Sequence, residues 1–252
     1  MMKHISVAAG VIVLSAGTLL AQTGREIMEK VDRLPQPSTV RSLATMTITK
    51  GGHTMIREIS LKGIKAGPNE KVILSVTSPF RLTVLTHTVR GGEDLQWLKQ
   101  RNGTVKRIVT GDRNKPFVNS HIYYEDLRSR HLDDYTYRLL GSARVQQYDC
   151  WKVEAVPRPG KSVYDKAYFY IIKAGQLANF AVKAEIFYKG YLYKDVTNFN
   201  IKVPNGIITP YKAVMQRYNR SGSALGQTVV EIKRLQYNSS RITDAMFHRS
   251  KL

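Results

Sequence analysis

The sequence predicts a mainly β protein with a few short helices, built as a strongly curved antiparallel sheet. Three observations lead there. Apolar and polar residues alternate along much of the chain: Met46 and Ile48 among Thr45, Thr47 and Thr49, Ile59 and Leu61 beside Ser60 and Lys62, then Val72, Leu74 and Val76. Turns rich in Gly and Asn separate such runs, at Gly51-Gly52, Gly91-Gly92, Asn102-Gly103, Lys189-Gly190, Asn205-Gly206 and from Ser221 to Gly226. These residues supply the positive φ that tight hairpins demand. Helical crossovers, which parallel strands would need, are missing from the pattern. Ten or eleven strands follow, and a curved sheet of that size needs closure or a cover.

Residues 1–21 read as a secretory signal peptide. Lys3 and His4 precede an uncharged run from Ile5 to Leu20, and Ala21 offers a cleavage point before Gln22. The competing reading is a membrane-spanning helix, for which the run is at the short edge. The mature chain, 22–252, reads as one domain, because no linker, charge block or repeat divides it. Its first element is a helix. Thr23 and Glu26 have capping-box spacing, Ile27, Val31 and Leu34 share one face, and Pro35 and Pro37 end it. A second helix is expected from Ser120 to His131, with Ser120 as cap and Ile122, Tyr123 and Leu127 as its apolar side. A curved sheet with short helices on its concave side makes a hollow.

Export changes what the net charge of +20 implies. A basic cytoplasmic protein would suggest nucleic acid. An exported one meets phospholipid headgroups, lipopolysaccharide or acidic wall polymers, so nucleic acid is not an expected partner. Arg101, Lys106, Arg107, Arg113 and Lys115 surround the Asn102-Gly103 turn and are the candidates for transient contact with an anionic membrane surface. Cys150 is the sole cysteine, which excludes an internal disulfide and leaves no cysteine after the leader for lipidation. No paired His or Cys ligands, nucleophile elbow or phosphate-binding loop occurs, so neither metal, cofactor nor enzymatic activity is expected. Glu125-Asp126 and Asp133-Asp134 are the adjacent acidic pairs, read as caps or partners of Arg128 and Arg130.

From Leu95 to Leu127 the chain reads LQWLKQRNGTVKRIVTGDRNKPFVNSHIYYEDL. It resembles the signature of the LolA-like outer-membrane lipoprotein-sorting family at Trp97, Arg107, Ile108, Tyr124, Glu125, Asp126 and Leu127. Glu185 to Gly190 resembles that family's tyrosine-rich strand and glycine turn, and Ile242 to Phe247 its closing segment. Departures occur at Leu98 to Gly103, where relatives often carry Pro and an Arg pair, and at Lys173-Ala174-Gly175, where an aspartate is usual. The resemblance implies an incomplete β-barrel covered by helices around an apolar cavity. It also implies a periplasmic carrier, not lipid-anchored, that binds acyl chains of lipoproteins or lipids and delivers them toward the outer membrane. Partners would include an outer-membrane acceptor or an inner-membrane RND/MMPL-like exporter. The alternative is a lipid-sensing or adaptor module docking on such an exporter or on an envelope-stress regulator, and an enzyme acting on wall polymer ranks third.

Alternation names Met46, Ile48, Ile59, Leu61, Val72, Leu74 and Trp97 as candidates for the cavity wall, with Ile27 to Leu34 and Ile122 to Leu127 at its mouth. The physical case for a cavity is one of magnitude. Each buried methylene contributes about 0.8 kcal/mol, so a chain of about 16 carbons represents on the order of 10 kcal/mol, which only an enclosed apolar site supplies.

Overall fold

The structure, a computed structural model, describes residues 22–67 and 69–252; the expected leader and its cleavage point at Ala21 lie outside the described residues. It begins with α1 (Gly24–Asp32), followed by β1 (Thr39–Lys50), β2 (His53–Ala66), β3 (Asn69–Ser78), β4 (Leu82–His87), β5 (Leu95–Lys99) and β6 (Val105–Ile108). A long connection leads to β7 (Tyr135–Val145), β8 (Tyr148–Pro157), β9 (Lys166–Ile172), β10 (Ala181–Tyr188), β11 (Tyr191–Lys202), β12 (Thr209–Tyr218) and β13 (Ala224–Tyr237). All thirteen strands form one antiparallel sheet, in the order β6-β5-β4-β3-β2-β1-β13-β12-β11-β10-β9-β8-β7. The sheet stays open, with β6 and β7 as its two edges. The count exceeds the expected ten or eleven because β5 and β6, five and four residues long, are too short to show a clear period.

Two meanders meet at β1 and β13, which pair from Val40 with Tyr237 to Lys50 with Gly226. Register shifts interrupt several ladders, among them those at Leu43/Ala44, Glu58/Ile59 and Leu139/Gly141. Such bulges strengthen the local twist and bend the sheet. The curved sheet has a concave inner face and a convex outer one, each with its own cover.

On the inner face of the first meander, Ala44, Met46, Ile48, Ile59, Val76, Val84 and Ile108 form one buried cluster. Phe117 and Tyr124, from the connection between β6 and β7, complete it, with Phe117 fully buried. On the second meander, α1 covers Val153, Ala155, Ala167, Phe169, Ile171 and Ile186 through Ile27. The outer face of the first meander packs Leu85 and Trp97 under the C-terminal segment, through Ile242 and Phe247.

The capping box of α1 forms as the spacing predicts: Glu26 N–H donates to Thr23 Oγ1, and Thr23 N–H to Glu26 Oε2 at 2.8 Å. The expected second helix does not form. Between 109 and 134 the backbone makes short 3-10 turns, including Phe117–Asn119 and Tyr124–Leu127, and a single antiparallel bridge between Pro116 and Tyr123. Val118 and Asn119 take positive φ, and Ser120 Oγ donates to the Phe117 carbonyl and accepts from Ile122 N–H. These local bonds compete with helical ones, so Ser120 caps a turn instead of a helix.

Gly24 sets how closely α1 lies on β7. A Cβ there would stand 2.7 Å from the Arg138 carbonyl carbon and the Leu139 nitrogen, both of them backbone. Gly24→Ala is expected to lift the helix and to destabilise the fold by about 1–3 kcal/mol, a usual range for overpacking. Gly111→Ala, where an added Cβ meets nothing within 4 Å, is the near-neutral control. Urea unfolding of the two variants measures the difference, and equal midpoints would refute the close-packing account.

Candidate functional site

Because β6 and β7 are opposite edges of the sheet, the connection 109–134 is a strap across the inner face. A hollow of about 270 Å3 remains between this strap and the second meander. Its sheet side includes Phe169, Ala184, Ile186, Val196 and Met215, and its strap side runs from Glu125 to Arg130. A depression of about 470 Å3 also exists, but only Arg41 to Leu43 and Arg234 to Gln236 line it, beside the β1–β13 bulge. The first hollow has the character of a site, since strap and sheet bound it and buried charge stands behind its wall residues Asp126 and Tyr164.

That charge is Lys194 on β11. Its side chain has no exposed surface, and its ammonium bonds Asp126 Oδ2 and, at 2.7 Å, the Tyr164 hydroxyl. Tyr164 in turn donates to Asp126 Oδ1 at 2.9 Å, while Asp126 Oδ2 accepts the Tyr123 N–H at 2.7 Å. Burial lowers the Lys194 pKa, and the Asp126 carboxylate opposes the shift. Burial together with that carboxylate pushes the Tyr164 phenol far up. An aromatic layer surrounds the pair: Tyr193 donates to the Tyr123 hydroxyl at 2.7 Å, and the Arg217 guanidinium lies 3.3 Å over the Tyr193 ring. Glu125 holds the next stretch of strap, accepting from Ser162 at 2.7 Å and from Arg128 at 3.2 Å. Buried Asp94 receives the Ser129 and Val89 N–H groups. The carboxylates of the Tyr-Glu-Asp-Leu motif are therefore anchors of the strap. The other expected acidic pair is exposed at Asp133, which meets Arg25 of α1, and tied to Lys161 at Asp134.

The residues expected at the cavity wall lie elsewhere. Met46, Ile48 and Ile59 are packed beneath Phe117, and Leu74 leans on the same cluster. Leu61 and Val72 are half-buried; the β2–β3 register, Ile59 with Val76, Leu61 with Leu74 and Gly63 with Val72, puts them on that same face. None of the six lines the 270 Å3 hollow, because the strap's own apolar residues fill this half of the concavity. Trp97 is on the outer face, edge-on to His87 with ring centroids 5.0 Å apart, under Ile242 and Phe247. The remaining motif positions divide likewise. Ile108, Tyr124 and Leu127 belong to the inner cluster, while exposed Arg107 is paired with Trp97 across the β5–β6 ladder.

The expected membrane-facing cluster does not share one surface. Arg101 and Lys106 are exposed, with Arg101 stacked 3.6 Å over Phe80, but Lys106 faces inward and Arg107 outward on β6. Lys115 is paired with Asp112 at 2.6 Å. Arg113 is 4% exposed and cannot serve as a surface cation. The mouth expected from α1 and 122–127 is partly met, since the strap bounds the hollow whereas Ile27 is buried against the sheet.

Sequence reasoning missed Lys194, Tyr164 and the second-meander wall. The signal for Lys194 was a lysine at a buried strand position between Tyr193 and Asp195, which alternation alone does not separate from a solvent-facing one. Among the described residues, no group of three or more metal-ligating side chains occurs, and no helix is long and apolar enough to cross a membrane.

Comparisons with known proteins bear on this geometry. The model of a family described as "uncharacterized protein" matches residues 69–252, well over half the chain. No curated protein matches the sequence. Among solved structures, a DUF1329 family protein from Desulfovibrio piger is 23% identical, with 90% of this chain and 96% of that one covered and a TM-score of 0.82. A domain assigned as an outer membrane lipoprotein-sorting protein from Vibrio parahaemolyticus is also 23% identical, covering 90% and 97% with a TM-score of 0.81. A LolA superfamily protein from Nitrosomonas europaea is 17% identical, covering 92% and 100% with a TM-score of 0.70. At these identities the likeness is one of fold, and it agrees with the incomplete barrel expected from the sequence.

Two predictions follow from the anchors. Lys194→Met leaves the Asp126 carboxylate without its cation and is expected to cost about 3–5 kcal/mol of stability, the usual effect of removing one partner of a buried pair. Adding Asp126→Asn should recover part of that loss; strictly additive denaturation energies would refute the coupling. The second concerns His121, buried on the strap with its backbone N–H and Nδ1 at Thr228 Oγ1. Burial, then Lys50, Arg217 and Lys194, lower its pKa. Above the unfolded value of about 6.5 the imidazole is neutral in both states; below it the unfolded chain takes up the proton first, so stability falls with pH. His121→Gln should flatten that part of the stability–pH curve, and an unchanged slope would exclude His121 as its source.

Proposed function

The chain belongs to the family whose model matches residues 69–252 and has a LolA-like fold, and on that premise we propose that it is an exported, non-enzymatic carrier of lipid or lipoprotein acyl chains in the envelope. The observation that supports this most is the hollow itself. An open sheet, which leaves a concavity, is covered by a strap of irregular backbone, and between them lies a partly open hollow whose apolar side includes Phe169, Ile186, Val196 and Met215. Its 270 Å3 falls just below the usual ligand-pocket range of about 300–1,000 Å3. Part of an acyl chain fits with the strap as it stands, and a whole chain requires the strap to be displaced from its apolar neighbours.

Delivery toward the outer membrane, to an acceptor there or from an RND/MMPL-like exporter, is the direction in which such a carrier in the periplasm would work. The leader read over residues 1–21 supports the location, and the lipoprotein-sorting assignment of the Vibrio domain supports the cargo class. Exposed Arg101, Lys106 and Arg107 are the cations named from the sequence that are left to touch an anionic membrane during transfer.

Native mass spectrometry of the protein purified from its own envelope is expected to show a co-purifying lipid, and a fluorescent fatty acid should bind and be displaced by unlabelled fatty acid. Ala184→Phe, which places a ring in the hollow, should weaken fluorescent-fatty-acid binding about tenfold or more, equivalent to about 1.4 kcal/mol or more. Absence of both co-purified lipid and fatty-acid binding would sink the carrier reading.

A further inference from the structure

One charged side chain at the hollow has no partner. Lys166 and Lys183 contribute to its lining, but strand parity sends their side chains to the outer face. There Lys166 meets Glu154 and Tyr168, and Lys183 meets Glu185 at 2.9 Å. On the inner side Asp126 is matched by Lys194, and Glu125 by Arg128. Arg130 is left over. Its guanidinium carbon lies 4.8 Å from the centre of the buried Phe169 ring, and among the described residues no carboxylate lies within ion-pair distance of it.

A second observation comes from the same stretch of strap. The Arg128 side chain is 8% exposed, and its buried Nε has no hydrogen-bond acceptor; the nearest carboxylate oxygen, on Asp94, is 3.8 Å away. The strap beside Arg130 thus carries a second guanidinium that is not fully satisfied, although its free Nε is turned toward Asp94, which does not line the hollow. The positive charge of Arg130 is also felt by its neighbours. It opposes the burial that raises the Tyr135 and Tyr137 phenols, and it adds to the burial that lowers Lys194.

We propose that the hollow selects acyl ligands carrying an anionic headgroup, a carboxylate or a phosphate monoester, with Arg130 binding the headgroup and the chain lying over Phe169 toward Ile186, Val196 and Met215. This rests on the carrier reading and adds the class of ligand. A guanidinium backed by an aromatic ring keeps its edge N–H groups free and presents them in the fork that matches both oxyanions. A neutral ligand in the same place would cover the Arg130 charge without neutralising it, and burying an unpaired charge is costly. The arginine therefore favours the anion and also disfavours its neutral analogue.

The test uses the delipidated protein and four probes below their aggregation limits: dodecanoate, dodecyl phosphate, methyl dodecanoate and inorganic phosphate. Titration calorimetry is expected to show both anionic amphiphiles binding about tenfold or more tighter than the ester, the gain of a charge-assisted contact. Inorganic phosphate should bind far more weakly than dodecyl phosphate. In Arg130→Gln the ratio of dodecanoate to ester affinity should collapse toward one, and Arg130→Lys, which keeps the charge without the fork, should retain part of it. Arg130 is exposed, and a thermal melt matching the parent confirms that each variant is folded. Equal affinity for dodecanoate and ester, or a ratio unchanged in Arg130→Gln, overturns the headgroup selection and leaves the carrier intact. Inorganic phosphate binding as tightly as dodecyl phosphate overturns it in favour of a simple anion site. Failure of all four probes to bind overturns both readings.

Discussion

The pairing of β1 with β13 is the constraint from which the rest of the molecule follows. It joins the first and last strands at the middle of the sheet, so β6 and β7, neighbours in sequence, become its two outer edges. The chain between them has to cross from one edge to the other. On a flat sheet such a crossing would expose one side of the strap. On a curved one the strap lies in the concavity and serves as the core of the first meander. Phe117 and Tyr124 do there what the inner strands of a second sheet would do in a sandwich.

A crossing of this kind explains why the strap carries buried charge of its own, at Arg113 and Glu125. Irregular backbone has few partners of its own for its N–H and C=O groups, and burying them unpaired is costly. The side chains of Ser120, Asp126 and Asp94 supply partners for the strap's own amides, and Gln96 on β5 donates to the Tyr124 carbonyl. Asp126 then needs a cation, and Lys194 of the opposite meander provides one. The ion pair is thus a consequence of the topology. It fixes the strap against the second meander at one point, and the hollow opens beside that point, where the strap's side chains turn polar.

Much of the fold was legible in the sequence for physical reasons that also set the limit. Alternation put Met46, Ile48, Ile59, Leu61, Val72 and Leu74 on one face, because a strand with one strongly apolar face shows its period. It did not reveal that Trp97 faces the other way, since the first meander is covered on both sides and both parities are apolar: Leu85 and Trp97 outward, Val84 and Leu98 inward. The strap misled for a different reason. Ile122, Tyr123 and Leu127 have helical spacing, but the positive φ at Val118 leaves no mark in residue type, and Asn119, which tolerates one, stands just before the expected cap. Lys194 lies 68 residues from its partner Asp126, beyond the reach of any local pattern. Gly226 looked like the end of a loop, yet it sits inside β13, where a Cβ would stand 2.2 Å from the Thr49 carbonyl oxygen and 3.2 Å from the His121 ring. The glycine signal was real, and its cause was a positive φ of 144° inside a strand together with the close approach of β1 and the strap, and not a turn.

The division of the concavity into a filled half and a partly empty half bears on how tightly a lipid could be held. In a wholly empty cavity each methylene of cargo would add about 0.8 kcal/mol, and a long chain would leave too slowly to be handed on. Here only the first part of a chain finds vacant space. The remainder has to displace Phe117, Ile122 or Leu127 from Met46, Ile48 and their neighbours, so the gain from burying cargo is set against the loss of the strap's own contacts. Removing a buried Phe from such a cluster costs about 3–5 kcal/mol, a sizeable part of what a whole acyl chain supplies. Net affinity is then a difference of two comparable apolar terms. In the proposed carrier the strap would regain its contacts on release, so the self-filling core that keeps the empty protein compact would also help the cargo to leave.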